Sequence, residues 1–297
     1  MIGEYSTVGI YHHPTHLPAR EFAEQLRKHI ESEEGGGRAV WVASAFDPVA
    51  STRDLPDTDL LICLGGDGTV LRAARAVIPY AIPILGVDMG RVAFLTECTA
   101  PQLSERLPQA LQGHGRIEER AMIDVRMSGF AVADAPRHVQ ALNDVIVGRR
   151  SVGRPIAVNV HVDDDLIGVI TADAVIVATA TGSTGYSLSA GGPVLHPLSR
   201  SLVVTPVASH LATAAPIVLP DNAVIDLSAV TEGTTALSID GQGQHEMSGT
   251  STVRVKRSSH VARLLRFWDD PFYEQLGRRL GWLGDATAPS SSPEGDP

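Results

Sequence analysis

Leu60-Leu61-Ile62-Cys63-Leu64-Gly65-Gly66-Asp67-Gly68-Thr69-Val70-Leu71 decides how the N-terminal part of this chain is read. Five consecutive apolar residues stopped by two glycines fit a strand covered on both faces in a parallel sheet. Leu71, Ala74 and Ile78 then follow helical spacing and predict a helix over residues 70–78. A strand, a glycine turn and a helix in immediate succession present free N–H groups and a positive dipole end to an anion. Glycines at 65, 66 and 68 let the backbone turn sharply and a polyanion come close. Thr69 either caps the helix or contacts a phosphate. Asp67 is the unusual member, because a carboxylate beside phosphates is unfavourable unless it serves a metal or accepts a proton. Taken alone, the string also fits a tight turn with an Asp cap.

The flanking segments repeat the same grammar. Residues 8–11, 39–43 and 82–87 read as short apolar strands, and residues 19–34 and 101–112 as helices, with Gly35-Gly36-Gly37 stopping the first. Strand–helix alternation implies a parallel sheet with crossover helices. Near residue 115 the pattern changes to strands and turns: 122–127, 141–147, 157–162, 174–178, 223–227, 236–239 and 252–255. Many short strands punctuated by Gly, Pro and Asp suggest a β-sandwich or related all-β domain. Residues 267–283 return to a helical pattern, and the Ser/Pro/Gly/acid tail has too little apolar surface to fold. The expected division is an α/β domain over 1–115 with a return segment at 256–284, a β-rich domain over 116–255, and a disordered tail over 285–297.

Composition bounds the partners. The 297 residues carry a formal charge of −10, which argues against general nucleic-acid binding. Arg254, Lys256, Arg257, Arg263 and Arg266 read as a solvated strand face. Only Cys63 and Cys98 are present, too few for a disulfide framework, and no Cys/His spacing suits zinc. No apolar stretch would span a bilayer and no signal-like segment opens the chain, so a cytoplasmic protein with no membrane partner is expected.

A second loop follows the apolar strand at 174–178: Thr179-Ala180-Thr181-Gly182-Ser183-Thr184-Gly185-Tyr186-Ser187-Leu188-Ser189-Ala190-Gly191-Gly192-Pro193. Five hydroxyl residues before Ser189 supply many small donors, and Tyr186 could stack on a base or reach a ribose. Asn143-Asp144 suits vicinal ribose hydroxyls, although an isolated Asn-Asp pair is more often a turn. Asp173 precedes a strand and reads equally as a turn residue. Asp163-Asp164-Asp165 reads as a hairpin turn, His12-His13 as a loop pair, and His245-Glu246 lacks the second His of a zinc helix. P-loop, dinucleotide and nucleophile-elbow signatures are absent.

Together these segments resemble the ATP-dependent NAD kinase family. The matching pieces are Gly65–Thr69, the run Gly86-Val87-Asp88-Met89-Gly90-Arg91-Val92-Ala93-Phe94-Leu95, Leu142-Asn143-Asp144, the stretch from Thr181 to Pro193, Leu219-Pro220-Asp221 and Ser238-Ile239-Asp240-Gly241-Gln242. The resemblance runs from about Val8 to about Leu283. It implies a Rossmann-like N-terminal domain, a β-sandwich-like C-terminal domain and a C-terminal helix packing back on the first. It also implies a site between the domains and across a subunit contact, in a homodimer or homotetramer.

The activity so implied is transfer of the γ-phosphoryl group of ATP to the 2′-hydroxyl of the adenosine ribose of NAD, with Mg²⁺ on the phosphates and no protein side chain singled out as metal ligand. Asp67 is implied as the catalytic carboxylate, accepting the hydroxyl proton or orienting a metal-bound water. Gly66, Gly68 and Thr69 would lie along the phosphates, and Asn143 and Asp144 on NAD ribose hydroxyls. Thr184, Gly185 and Tyr186 would line the adenine and ribose pocket, with Thr181, Ser189 and Gln242 also binding. Phe94 would pack on the adenine side and Asp173 would face the nicotinamide. The sequence departs from the family at Asp88 (usually Asn), Ala93 (usually Gly), Gly185 (usually Ala) and Ala180 (usually Pro), and Asp144 is shorter than the commoner Glu. A lipid kinase sharing the first loop, or an NAD-binding regulatory module without turnover, are the alternatives.

Overall fold

A computed structural model describes residues 4–32, 36–47, 53–90, 93–130, 137–151, 154–209, 214–230, 235–267 and 272–282. Gly35, Arg91, Val92, Leu283 and the tail expected over 285–297 lie outside them. Residues up to Arg266 form one compact unit and those from Phe267 a second.

The first unit opens with β1 (Thr7–His12), α1 (Leu17–Glu31), β2 (Ala39–Ser44), β3 (Leu60–Leu64), α2 (Asp67–Val77), β4 (Ile84–Asp88), β5 (Cys98–Thr99) and α3 (Ala100–Leu111). It continues with β6 (Arg116–Ser128), β7 (His138–Ala141), β8 (Asp144–Arg149), β9 (Ile156–Val162), β10 (Asp165–Ala172), β11 (Ala174–Ala178) and a single turn, α4 (Tyr186–Ser189). Then follow β12 (Leu202–Val207), β13 (Ile217–Leu219), β14 (Val224–Ala229), β15 (Thr235–Ile239), β16 (Gln242–Met247) and β17 (Thr252–Arg266). The second unit contains α5 (Phe272–Arg279), shorter than the helix expected over 267–283.

Two sheets result. The larger runs β10-β9-β14-β17-β4-β3-β1-β2, with β5 on β4, β6 on β17 and β7 on β6. Its β4-β3-β1-β2 part is parallel, as the apolar runs require, and β3 is buried along its whole length. The smaller sheet, β13-β12-β11-β8-β15-β16, is antiparallel throughout. This is the mixed α/β plus antiparallel β architecture expected. One core lies under the parallel strands, where Val70, Ala73, Ala74 and Val77 of α2 pack on Leu61 and Cys63. The other lies between the sheets, where Val145, Val147, Val175 and Val177 meet Val158, Ile225, Val253 and Val255. Alternating inward-facing residues of the two sheets, mostly aliphatic with Met127 and Met247, fill that space.

Some boundaries differ from the sequence reading. α2 already begins at Asp67, because Gly66 turns the chain and accepts the N–H groups of Thr69 and Val70. The strand expected over 141–147 breaks at Leu142-Asn143, whose amides donate to Asp240 instead of to a neighbouring strand. The strand expected over 252–255 runs to Arg266, pairing antiparallel with β6 along its length and touching parallel β4 at Leu264. It joins the two halves of the sheet. The basic run on it is not all solvated: Arg254 and Lys256 are exposed, but Arg266 is buried among carboxylates. The hairpin at Asp163-Asp164 forms as expected, with both residues left-handed.

Candidate active site

A cleft of about 680 Å³ opens where the strand–helix turn after β3 meets the turn after β15. Gly65, Gly66, Asp67, Gly68, Thr69, Asp88, Ala93, Asp240 and Gln242 line it, with His13, His16, Phe46 and Arg72 on the far wall. Apart from Arg72, which projects from α2, these residues lie just beyond the C-terminal ends of parallel strands or in turns facing them, which is where open α/β sheets hold ligands.

The first loop is built around an empty space. Beyond Gly66 and Gly68 an added Cβ would meet nothing within 4 Å, so packing does not demand glycine there. Gly65 is different: a Cβ would lie 2.3 Å from Thr69 Oγ1. Thr69 is fully buried, yet its hydroxyl has no hydrogen-bond partner. A buried unpaired hydroxyl costs stability unless a ligand or water completes it. The Asp67 carboxylate accepts N–H groups from Phe94 (3.0 Å) and Leu95 (2.8 Å), one on each oxygen. The carboxylate is thereby aimed, and each oxygen keeps a lone pair. Asp88 accepts the Gly90 N–H at 2.9 Å and stands in the same cleft.

Asp240 joins this cleft to the Asn143-Asp144 dipeptide. Left-handed at the turn, it accepts the N–H groups of Leu142 (3.0 Å), Asn143 (2.7 Å) and Asp144 (3.2 Å), and returns its own N–H to the Asp144 carbonyl. Burial pushes the Asp240 carboxyl up, against the opposing pull of those three N–H groups and of Arg75. Burial, and then the nearby Asp240 charge, pushes Asp144 up to about 7. Asn143 Oδ1 is buried without a partner, a second acceptor left open at the site.

The hydroxyl-rich loop is less open than its composition suggests. Thr179 donates to the Leu142 carbonyl (2.6 Å), Ser183 to that of Ala180 (2.7 Å) and Thr184 to that of Thr181 (3.1 Å), and Ser187 pairs with Thr205 (2.8 Å). The expected supply of free donors is therefore mostly used to shape the loop. A Cβ on Gly182 would lie 2.1 Å from the Asn143 carbonyl oxygen, so this glycine is needed for the loop to lie against Asn143. Gly185 precedes α4, which carries Tyr186 and Ser189, both exposed.

The residues named from sequence therefore fall into groups. Gly66, Asp67, Gly68, Thr69 and Gln242 line the cleft, and Asn143 and Asp144 are hydrogen-bonded to it through Asp240. Phe94 holds Asp67 with its backbone. Thr181, Thr184, Gly185, Tyr186 and Ser189 follow the same end of β11, where Ala178 pairs with Asp144. Asp173 stands at the opposite end, roughly 17 Å away along an extended strand of five residues. There it makes an ion pair with Arg149 at 2.9 Å.

Sequence reasoning missed Arg72, whose guanidinium lies 3.6 Å over the Phe46 ring in the cleft wall; His13, read as a loop residue at the strand end where α/β sheets bind ligands, stands edge-on to the same ring. The signal available was Arg72 five residues beyond Asp67 on a helix opening at the cleft. Arg75 was missed too; it holds Gln242 Oε1 at 3.1 Å.

Residues 20–115 match the ATP-NAD kinase N-terminal domain and residues 142–267 the ATP-NAD kinase C-terminal domain. An NAD kinase of Dehalococcoides mccartyi is 36% identical over 277 residues, 93% of this chain and 96% of that protein. The chain belongs to the ATP-NAD kinase family. It is a phosphotransferase acting on NAD with ATP as donor. The structure of an NAD kinase from Archaeoglobus fulgidus in complex with ATP superposes with a TM-score of 0.73 at 25% identity, covering 94% of this chain and 100% of that one. The fold is shared with yeast NADH kinase complexed with NADH, at a TM-score of 0.82 and 19% identity, over 97% of this chain and 90% of that one. Family membership sets aside the lipid kinase and the inactive regulatory module. Among the described residues no helix is long and apolar enough to cross a membrane.

Proposed function

We propose that this kinase transfers the γ-phosphoryl group of ATP to the 2′-hydroxyl of the adenosine ribose of NAD, giving NADP, with Asp67 beside the reacting hydroxyl. The observation that carries the reading is the Asp240 turn, which lines the phosphate cleft and grips the amides of residues 142–144. A loop suited to phosphates and a dipeptide suited to ribose hydroxyls thus face one space.

In this reading the N–H groups of Gly66 and the first turn of α2 receive the donor phosphates, with the buried, unpartnered Thr69 hydroxyl behind them. Arg72, the one arginine among the described residues of the cleft lining, faces them together with His13 and His16. Asn143 Oδ1 and Asp144 accept from ribose hydroxyls of NAD, and Tyr186 and Gly185 border its adenine, with Thr181, Thr184, Ser189 and Phe94 around them. The 2′-oxygen attacks the γ-phosphorus, the bond to the bridging oxygen breaks, and ADP leaves. Asp67 takes the hydroxyl proton as the transfer completes. Such transfer is mainly positioning and charge stabilisation, which suits a carboxylate pinned by two amides. Mg²⁺ fits the lining, because Asp67 and Asp88 offer hard oxygens and phosphates supply the rest of a magnesium shell. Bound there, it would neutralise charge on the donor phosphates. No group of three or more His, Cys, Asp or Glu among the described residues would hold a metal by itself. Asp173 reaches the nicotinamide end of NAD bound to a second copy, in a cytoplasmic homodimer or homotetramer.

The test is product analysis. Purified protein is given Mg²⁺ with ATP or polyphosphate as donor and NAD, NADH or diacylglycerol as acceptor. An NADP-specific dehydrogenase reads the product. NADP from ATP and NAD is expected, and labelling at any other hydroxyl of NAD would overturn the assignment.

A further inference from the structure

Four charged side chains, Arg266, Glu97, Glu118 and Arg120, lie almost completely buried beside the cleft without lining it. Arg266 Nη1 donates to the carbonyls of Leu95 (3.3 Å) and Thr96 (3.2 Å) and to the Glu97 carboxylate (3.0 Å). Its Nε donates to Glu118 at 3.1 Å. Glu118 also accepts from Arg120, at 2.8 Å from Nε and 2.6 Å from Nη2. Arg120 Nη1 in turn reaches Thr181 Oγ1 at 3.4 Å.

Stability alone is a poor reason for such a cluster. Burying two ion pairs is often no better than apolar packing of the same volume. Burial pushes Glu118 up, yet Arg266 and Arg120 outweigh it and hold its carboxyl at about 2. The cluster therefore stays charged and directional. What it connects is informative. Leu95 is gripped at both ends: its N–H holds Asp67 at 2.8 Å and its carbonyl is held by Arg266. The opposite end touches the loop that follows β11.

We propose that Arg266, Glu118 and Arg120 are positioning residues that tie the Phe94–Leu95 backbone aiming Asp67 to the loop carrying Thr181. The inference rests on the roles given above to Asp67 and Thr181. It explains why Arg266 lies at the end of β17, buried, while Arg254 and Lys256 earlier on the same strand face solvent. Lysine at either arginine position keeps the charge but loses the fork that reaches two partners at once.

The test uses the full chain with Arg266→Lys, Arg120→Lys and the double variant, each checked for folding by circular dichroism. Arg266→Lys is expected to lower kcat about tenfold with KM for ATP unchanged, since a misaimed group near 1 Å out of place costs up to about 100-fold. Arg120→Lys is expected to raise KM for NAD about tenfold. The double variant should lose no more kcat/KM than the worse single variant, because one continuous link is broken either way. Folded single variants with parental kcat and KM, or losses that multiply independently, would overturn the proposal. Should the lysine variants not fold, Thr181→Val breaks the far end without stranding a charge. Addition of NAD should then protect the Leu95 amide from hydrogen exchange in the parent but not in Thr181→Val, and equal protection in both would overturn the link. Asp67→Asn, measured alongside, separates the two readings: parental turnover there removes the role of Asp67 whatever the arginine variants do.

Discussion

The loop at Gly65–Thr69 and the loop at Thr179–Gly185 both combine glycines with hydroxyl residues (one in the first, four in the second), both follow a fully buried strand, and both precede helical backbone. They use their polar groups differently. The first leaves Thr69 Oγ1 without a partner and open space before Gly66 and Gly68. The second ties Thr179, Ser183 and Thr184 into its own backbone and that of Leu142, and packs Gly182 against Asn143. A phosphate site needs unsatisfied donors facing a void, whereas a site for a dinucleotide needs a stiff wall of fixed shape. Between the two, Asp240 sets the distance.

Four measurements would break or sharpen this contrast. The largest effect belongs to the first loop: Asp67→Asn should keep NAD binding by calorimetry and lower kcat by more than ~100-fold, the range of a lost general base. Next is the joint between the loops. Asp240→Asn removes one charge-assisted acceptor from three amides and should weaken NAD binding about 30-fold, corresponding to about 2 kcal/mol. Unchanged affinity would mean the loops are set independently. Smaller again is the cation on the cleft wall. Arg72→Met should raise KM for ATP about tenfold, the scale of one charge-assisted hydrogen bond, while KM for NAD stays put.

The smallest effect is a pH dependence on the second loop's side. Asp144 is held at about 7, above its ordinary carboxylate value, by burial and the Asp240 charge. The stability linked to its proton is therefore complete below that ordinary value, lost as pH rises, and gone above about 7. Asp144→Asn should gain on the parent in melting temperature by a few degrees between pH 4 and 7, and a constant difference across that range would remove Asp144 as the titrating group.

Much of the first region was legible because its signals are local. An apolar pentapeptide, a glycine turn and helical spacing each need only near neighbours, so β3, α2 and the phosphate loop follow from residues 60–78. The second region was legible as composition but not as bonding. Nothing in the order of residues 179–187 says that three hydroxyl protons are used internally: Ser183 and Thr184 find carbonyls three residues back only once the loop turns helical, and Thr179 finds that of Leu142 only when the loop lies against it. Strand β16 escaped notice for a related reason: its residues before Met247 are polar or glycine, and its pairing with β15 supplies the strand geometry.

By itself, then, the sequence determined the parallel α/β start, the change to β structure near residue 115, and a family resemblance strong enough to name donor and acceptor. The glycine turn after β3 was on that page from the beginning. Tertiary structure alone decided that Asp67 is aimed by amides 27 and 28 residues away, that Asp240 fastens the Asn143-Asp144 dipeptide to the same cleft, and that Arg266 turns inward while Arg254 does not. Local propensity acts over a few residues, whereas a carboxylate finds its partners through space. Charge in a string of letters has no direction until the sheet brings distant backbone to it.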